Sequence, residues 1–268
     1  MVELSMSTNF SNVCILISSS NNTWDVVRQT IRSFLTYWPN CPFAIFVGLN
    51  SSKQELIEAG YHQVFAEVGG WRQELHTQVA SLPAEYSHIL LFLDDFVLLR
   101  PVNEEKILQM IDEALSKQWA YLRFKRLLGA WLPFFVRQIM DRISNKFFCE
   151  IPQNTPYFSS LQVALWERTH LLNMLNLPGS IWDFERQVIP QVKHYAICFK
   201  SPIDYIHVVE RGQWQPYAKR VLRQCGVKFD PGQRLVRGIG SEINRWISKI
   251  KFTLVGYTGY RLRQWYRS

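Results

Sequence analysis

The feature that most constrains this chain is an alternation. Short apolar runs of strand length take turns with segments whose apolar residues return at helical spacing. Residues 13–17 (Val-Cys-Ile-Leu-Ile) read as a buried strand, and a polar loop, 18–23, follows. Val27, Ile31, Phe34, Leu35 and Trp38 then mark one face of a helix, which Pro39 and Pro42 stop. The pattern repeats as a strand at 43–47, a short helix at 51–59 ended by Gly60, a weaker strand at 63–65 and a helix at 71–81. A strongly apolar strand at 88–93, a helix at 104–115 and a strand at 119–124 continue it. Apolar strands that alternate with helices pair mostly in parallel and are covered on both faces. The expected fold is therefore α/β and Rossmann-like, a mostly parallel central sheet flanked by helices. Ligands of such sheets bind beyond the carboxyl ends of the strands. The 18–23 loop and the residues after Leu93 fall there.

With 268 residues, 47% of them hydrophobic, the chain has ample material for a core. It shows no linker, repeat or low-complexity tract. The expected organisation is one domain over 1–235, followed by a basic, aromatic, helical extension over 236–268. The formal net charge of +8 calls for an anionic partner. Five scattered cysteines without a CxxC pair argue against a zinc site or a disulfide framework, and for a reducing compartment. The opening residues lack an apolar signal region, and no window approaches the roughly 20 apolar residues of a spanning helix. The expectation is a cytoplasmic protein, peripheral on the inner face of the cell membrane.

Two adjacent acids, Asp94 and Asp95, interrupt the apolar stretch 90–99. Charges inside a buried segment need a counter-charge. A divalent cation bridging a diphosphate would supply it, and oxygen ligands suit Mg2+ or Mn2+. The alternative is a strand-end aspartate that caps the next turn beside a solvated neighbour. Trp71-Arg72, after Gly69-Gly70, opens a helix where an arginine and free N–H groups suit a phosphate.

The stretch 90–99 resembles the acidic motif of GT-A glycosyltransferases, a carboxylate cluster that closes an apolar strand. The resemblance puts Asp95 in the metal-binding place and Asp94 in the middle place. Leu93 stands where a first acid would be. Tyr157 to Trp166, followed by Ser180-Ile181-Trp182-Asp183-Phe184-Glu185, is similar to the acceptor side of bacterial members that build surface polysaccharides. That similarity implies Trp182 stacking on a sugar and Asp183 or Glu185 as the base that takes the acceptor proton. The same residues also read as a helix start, with Ser180 as cap and Asp183 at N3. His207, late in the chain, matches the histidine that completes the metal shell in many members, although a lone histidine is more often structural. Arg211, in an R-G-x-W-x-P run that also resembles this group, would face the diphosphate or lie solvated on the surface. Residues 13–20 resemble the first strand and nucleotide loop, with Ser18 and Ser19 beside base and ribose.

The resemblance implies an enzyme that moves a sugar from a nucleotide-sugar donor, with UDP-sugars among the candidates, to a saccharide or lipid-linked glycan acceptor with inversion. A sugar-phosphate nucleotidylyltransferase is the first rival, but the loop after the first strand lacks that group's glycines. A non-catalytic module is the second. Residues 123–135 and the tail from Arg234 interleave basic and aromatic residues, a pattern suited to an anionic membrane surface and less to nucleic acid. Helices packed on the domain are the plainer alternative.

Overall fold

The computed structural model describes residues 10–125, 147–153, 157–198, 200–226, 229, 231, 232 and 234–238. Leu127 to Phe135 and the tail beyond Gly238, both singled out above for a membrane surface, lie outside the described residues. Among the described residues no helix is long and apolar enough to cross a membrane. The chain divides into two compact units between Ile206 and His207.

In the first unit, eight strands form one sheet. They are β1 (Val13–Ser18), β2 (Ala44–Leu49), β3 (His62–Phe65), β4 (His88–Leu93), β6 (Tyr121–Arg123), β7 (Phe148–Ile151), β8 (Ala164–Glu167) and β9 (His194–Ile197), with β5 (Phe96–Leu98) set apart. Their order is β3-β2-β1-β4-β8-β6-β9-β7. The pairs β1–β2, β1–β4, β2–β3 and β6–β9 are parallel, while β4–β8, β6–β8 and β7–β9 are antiparallel. The expected α/β architecture is the one observed. β5 instead makes a two-stranded ladder with the strand that opens at Tyr205, β10 (Tyr205–His207).

Alternation along the strands feeds two cores. Ile15 and Ile17 of β1 face one side with Val27, Ile31 and Phe34 of helix α1 (Trp24–Tyr37) and Ile107 and Ile111 of α4 (Glu104–Ser116). Cys14 and Leu16 face the other with Leu75 and Val79 of α3 (Trp71–Ala80), and Leu171 and Met174 of α5 (Arg168–Asn176). A short α2 (Gln54–Glu58) links β2 to β3, and α6 (Ile181–Phe184) follows α5. Two imidazoles lie within the second core. His170 Nε2 and His194 Nε2 are 2.8 Å apart, and Phe158 stacks on His194 at 4.1 Å.

The second unit holds a hairpin, β11 (Val209–Glu210) with β12 (Gln213–Trp214), and α7 (Ala218–Gln224). Arg211 and Gly212 form its two-residue tip, at φ of 50° and 74°. Positive φ at both positions is what the tight primed turn of a hairpin demands, so the glycine has a backbone reason. Trp214 is fully buried, donates from Nε1 to the Pro231 carbonyl and bridges to Val236. Residues on both sides of position 235 therefore share one ladder in this unit.

Candidate functional site

The carboxyl ends of β1, β2, β4 and β6 and the start of the antiparallel β8 lie along one edge of the sheet. Asp94 and Asp95 form the turn between β4 and β5, half-buried. The turn is held from α1, one helical turn apart on one face. Thr30 donates its hydroxyl to the Asp94 carbonyl at 2.5 Å, and Ser33 accepts the Leu98 N–H at 3.0 Å. Both side chains are fully buried. Polar residues buried on a largely apolar helix face signal buried partners, a cue that the sequence reading did not use.

Beside this turn, Ser19 Oγ lies 3.5 Å from Asp94 Oδ2 and 3.0 Å from Thr23 Oγ1. Ser18 donates to Gln78 Oε1 at 2.8 Å, and Gln78 Nε2 donates to the Ser19 carbonyl at 2.8 Å. Gln78, fully buried on α3, thus fixes both serines, and it was missed in the sequence. Gly48 makes room for it, since a Cβ there would fall inside the Gln78 amide. Gly48→Ala is therefore expected to displace Gln78 and destabilise by about 1–3 kcal/mol. An unchanged urea midpoint would show that the network contributes nothing.

The loops after β1 and β2 are tied by side-chain amides. Asn21 N–H donates to Asn50 Oδ1 at 2.8 Å, Asn50 N–H donates back to Asn21 Oδ1 at 3.2 Å, and Asn50 Nδ2 reaches the Ala66 carbonyl after β3 at 3.0 Å. These loops form a pre-ordered polar ledge next to the acid turn.

Across the edge, Glu185 caps α6 and is half-buried. Its Oε1 accepts the Leu161 N–H at 3.0 Å and the Ser160 hydroxyl at 3.3 Å, just before β8. Asp183 is exposed and sits in a capping box. Its Oδ2 accepts the Ser180 hydroxyl at 2.7 Å and the Ser180 N–H at 2.8 Å, bonds that hold its carboxyl below the usual carboxylate range. The helix-start reading of Ser180 and Asp183 describes this geometry. Trp182 beside it is 58% exposed, a free face for a sugar ring.

Arg72, expected near a phosphate, is committed elsewhere. Its Nη1 donates to the Met174 carbonyl at 2.9 Å and to the Leu177 carbonyl, and its Nη2 to the Ser180 carbonyl at 3.3 Å. Arg168 mirrors it, donating to the carbonyls of Ala80 at 3.0 Å and Leu82 at 2.7 Å. Each helix of the α3–α5 pair thus lends a first-turn arginine to the carbonyls at the other's end, where cations are favoured. Trp71 packs edge-on to Phe184 at 5.5 Å. Arg211 is exposed at its hairpin tip. His207 ends β10, and the Tyr217 hydroxyl donates to its carbonyl at 2.8 Å. It belongs to the second unit.

Among the described residues no three His, Cys, Asp or Glu side chains gather into a metal cage. Hard divalent cations that serve phosphates need no such cage. They keep several waters and take one or two carboxylates together with the phosphate oxygens. The Asp94–Asp95 turn fits that requirement.

No family model matches the sequence, and no curated protein matches it. Solved structures resemble it at low identity. S. aureus TarS 1-349 in complex with UDP-GlcNAc is 13% identical, with 75% of this chain and 59% of that chain covered and a TM-score of 0.47. This chain thus spans about three fifths of that structure's length. A homologue of Mycobacterium tuberculosis Rv0371c from Mycobacterium sp. strain JC1 is 13% identical, covering 81% and 98%, with a TM-score of 0.47. CMP:2-keto-3-deoxy-manno-octonic acid synthetase complexed with CTP is 10% identical, covering 70% and 89%, with a TM-score of 0.41.

Proposed function

We propose that this protein is a glycosyltransferase that moves a sugar from a nucleotide-sugar donor, UDP-linked in the first test, to a saccharide or lipid-linked glycan acceptor. The observation that carries the reading is the acid turn, Asp94–Asp95, at the carboxyl edge of the sheet, pinned from α1 by Thr30 and Ser33. The Asp94 carbonyl and the Leu98 N–H are satisfied by these two hydroxyls, which fixes the turn that carries both carboxylates at the sheet edge.

In this reading the nucleotide lies on the ledge formed by Ser18, Ser19, Asn21 and Asn50. Asp95 holds a Mn2+ or Mg2+ ion with the diphosphate, and Asp94 braces the turn. When bound, such an ion neutralises charge that develops on the leaving nucleotide. Trp182 supports a sugar ring. Glu185 accepts the proton of the acceptor hydroxyl as it attacks the anomeric carbon, and the configuration inverts. Asp183 serves as the helix cap.

Calorimetry with UDP tests the donor half. Wild-type affinity is expected to rise at least about tenfold with Mn2+, a gain of about 1.4 kcal/mol, and Asp95→Asn is expected to lose that gain. An undiminished manganese effect in Asp95→Asn would sink the assignment.

A further inference from the structure

Building on that reading, we propose that the saccharide substrate carries an anionic group, a carboxylate or a phosphate, and that Arg123 receives it. Arg123 ends β6 and is only 7% exposed. Its Nη1 donates to the Tyr157 carbonyl at 3.4 Å, at the long limit of a hydrogen bond. Its Nε and Nη2 are buried and, among the described residues, have no hydrogen-bond partner. These two nitrogens share one edge of the guanidinium, the edge that grips a carboxylate or phosphate with two parallel hydrogen bonds. Buried guanidinium donors left without an acceptor are strongly unfavourable. A bound anion on that edge removes the penalty.

The surroundings are arranged to suit such a ligand. Tyr157, whose carbonyl meets Arg123, has a φ of 59°, a left-handed conformation rare outside glycine and frequent at ligand sites. Lys125, two residues on, adds a second cation; its Nζ lies 5.6 Å above the Tyr205 ring and donates to Gln162 Oε1 at 2.8 Å. The Asp94–Asp95 turn closes β4, and β8 alone separates β4 from β6. Two strand spacings of about 4.8 Å separate β4 from β6, and Asp94 lies three residues beyond Leu91, which is level with Arg123 through Ala164; the acidic and basic ends thus stand roughly 14 Å apart, room for a sugar ring and a phosphate between them. Glu185 is bonded at the start of β8, between the two. The acidic end suits a metal-bound diphosphate, and the basic end suits an anionic saccharide.

Calorimetry on the full chain tests this. The probes are UDP-glucose against UDP-glucuronate, and, with UDP present, free glucose against D-glucuronate and glucose 6-phosphate. Wild type is expected to bind an anionic probe about ten to a hundred times tighter than its neutral counterpart. Arg123→Met should abolish the preference, Arg123→Lys should retain part of it, and UDP affinity should stay unchanged in both. Preference in the UDP-sugar arm assigns the anion to the donor sugar, and preference in the free-sugar arm assigns it to the acceptor. No preference in any arm, or one that survives Arg123→Met, overturns the proposal. So does a parallel loss of UDP affinity, which would give the guanidinium to the diphosphate. Removing an unmatched buried cation should leave the melting temperature of Arg123→Met equal or higher. A lower one, with no anion response in wild type, makes Arg123 structural. If wild type fails to bind UDP, the donor reading fails, and the free-sugar arm run without UDP still decides the role of Arg123.

Discussion

Glu185→Gln is expected to slow sugar transfer about 10²–10⁴-fold while nucleotide binding persists, the usual loss when a positioned general base is removed. The two acids of the motif differ in what surrounds them. Asp183 Oδ2 takes two hydrogen bonds from Ser180, and those bonds, side chain first and backbone second, lower its pKa. Those bonds tie Asp183 to the start of its own helix, whereas Glu185 is tied to the residues before β8, on the sheet edge that carries the acid turn. Glu185 Oε1 is aimed by Ser160 and Leu161. A glutamine amide oxygen accepts the same two bonds, so the fold should survive the substitution. Asp183→Asn is expected to keep most of the transfer rate. Equal rates for wild type and Glu185→Gln, or a collapse confined to Asp183→Asn, would reverse the assignment.

The second large effect is on stability. Lowering the pH from 7 to 4.5 is expected to cost about 3 kcal/mol through His194 alone, at about 1.4 kcal/mol for each pH unit below its unfolded pKa. Burial holds His194 down to about 3, and the adjacent His170 adds to that, against the Phe158 carbonyl. A hydrogen bond between the two Nε2 atoms needs a proton on one and a lone pair on the other, so the two rings cannot both be charged. Burial also lowers His170 and His88. The unfolded chain, with ordinary histidines, binds more protons. The stabilisation is therefore complete above about pH 6.5 and is lost as the pH falls toward 3. Between pH 7 and 5.5 few carboxylates titrate, so urea midpoints at pH 7 and 5.5 isolate the onset of the loss, and the difference at pH 4.5 between wild type and a variant without the pair separates it from the carboxylates. The double replacement His170→Leu with His194→Phe should flatten the profile. A wild-type midpoint unchanged over that range would contradict the neutral pair.

Several elements were legible because they depend on local pattern. The runs at 13–17 and 88–93 and the helix that ends before Pro39 appear in the sequence as apolar periods with stops, and the structure keeps them within a residue or two. Ser180 and Asp183 were legible as a capping box because that device spans only four residues. The pieces that were not legible depend on partners distant in sequence. Gln78, Thr30 and Asn50 look like isolated polar residues until the fold brings Ser19, Asp94 and Asn21 to them. Arg72 after a glycine pair looked like a phosphate ligand, because nothing local announces carbonyls 102 and 105 residues away. The Arg123 edge left without a hydrogen-bond partner among the described residues is likewise a property of packing. The antiparallel direction of β8 rests in the same way on its neighbours β4 and β6.

The strand order has a consequence for how this sheet comes apart. β3, β2, β1 and β4 come from residues 13–93, and β8, β6, β9 and β7 from residues 121–197, each set nearly contiguous in the chain. The β4–β8 ladder, pairing His88 with Glu167 through Leu91 with Ala164, is the seam between the two sets. Arg72 and Arg168 cross that same seam as staples. The seam closes a loop of about 75 residues, no longer than the β1–β4 and β6–β9 ladders inside the sets, so what sets it apart is that its two strands come from different halves of the chain. The acid turn stands at one lip of the seam, and Glu185 is bonded at the other. Amide hydrogens of the β4–β8 ladder then report on the site itself. An opening that leaves both half-sheets intact would part the acid turn from Glu185, so under the proposed function transfer depends on a closed joint, and such a sub-global opening costs less than unfolding the whole domain.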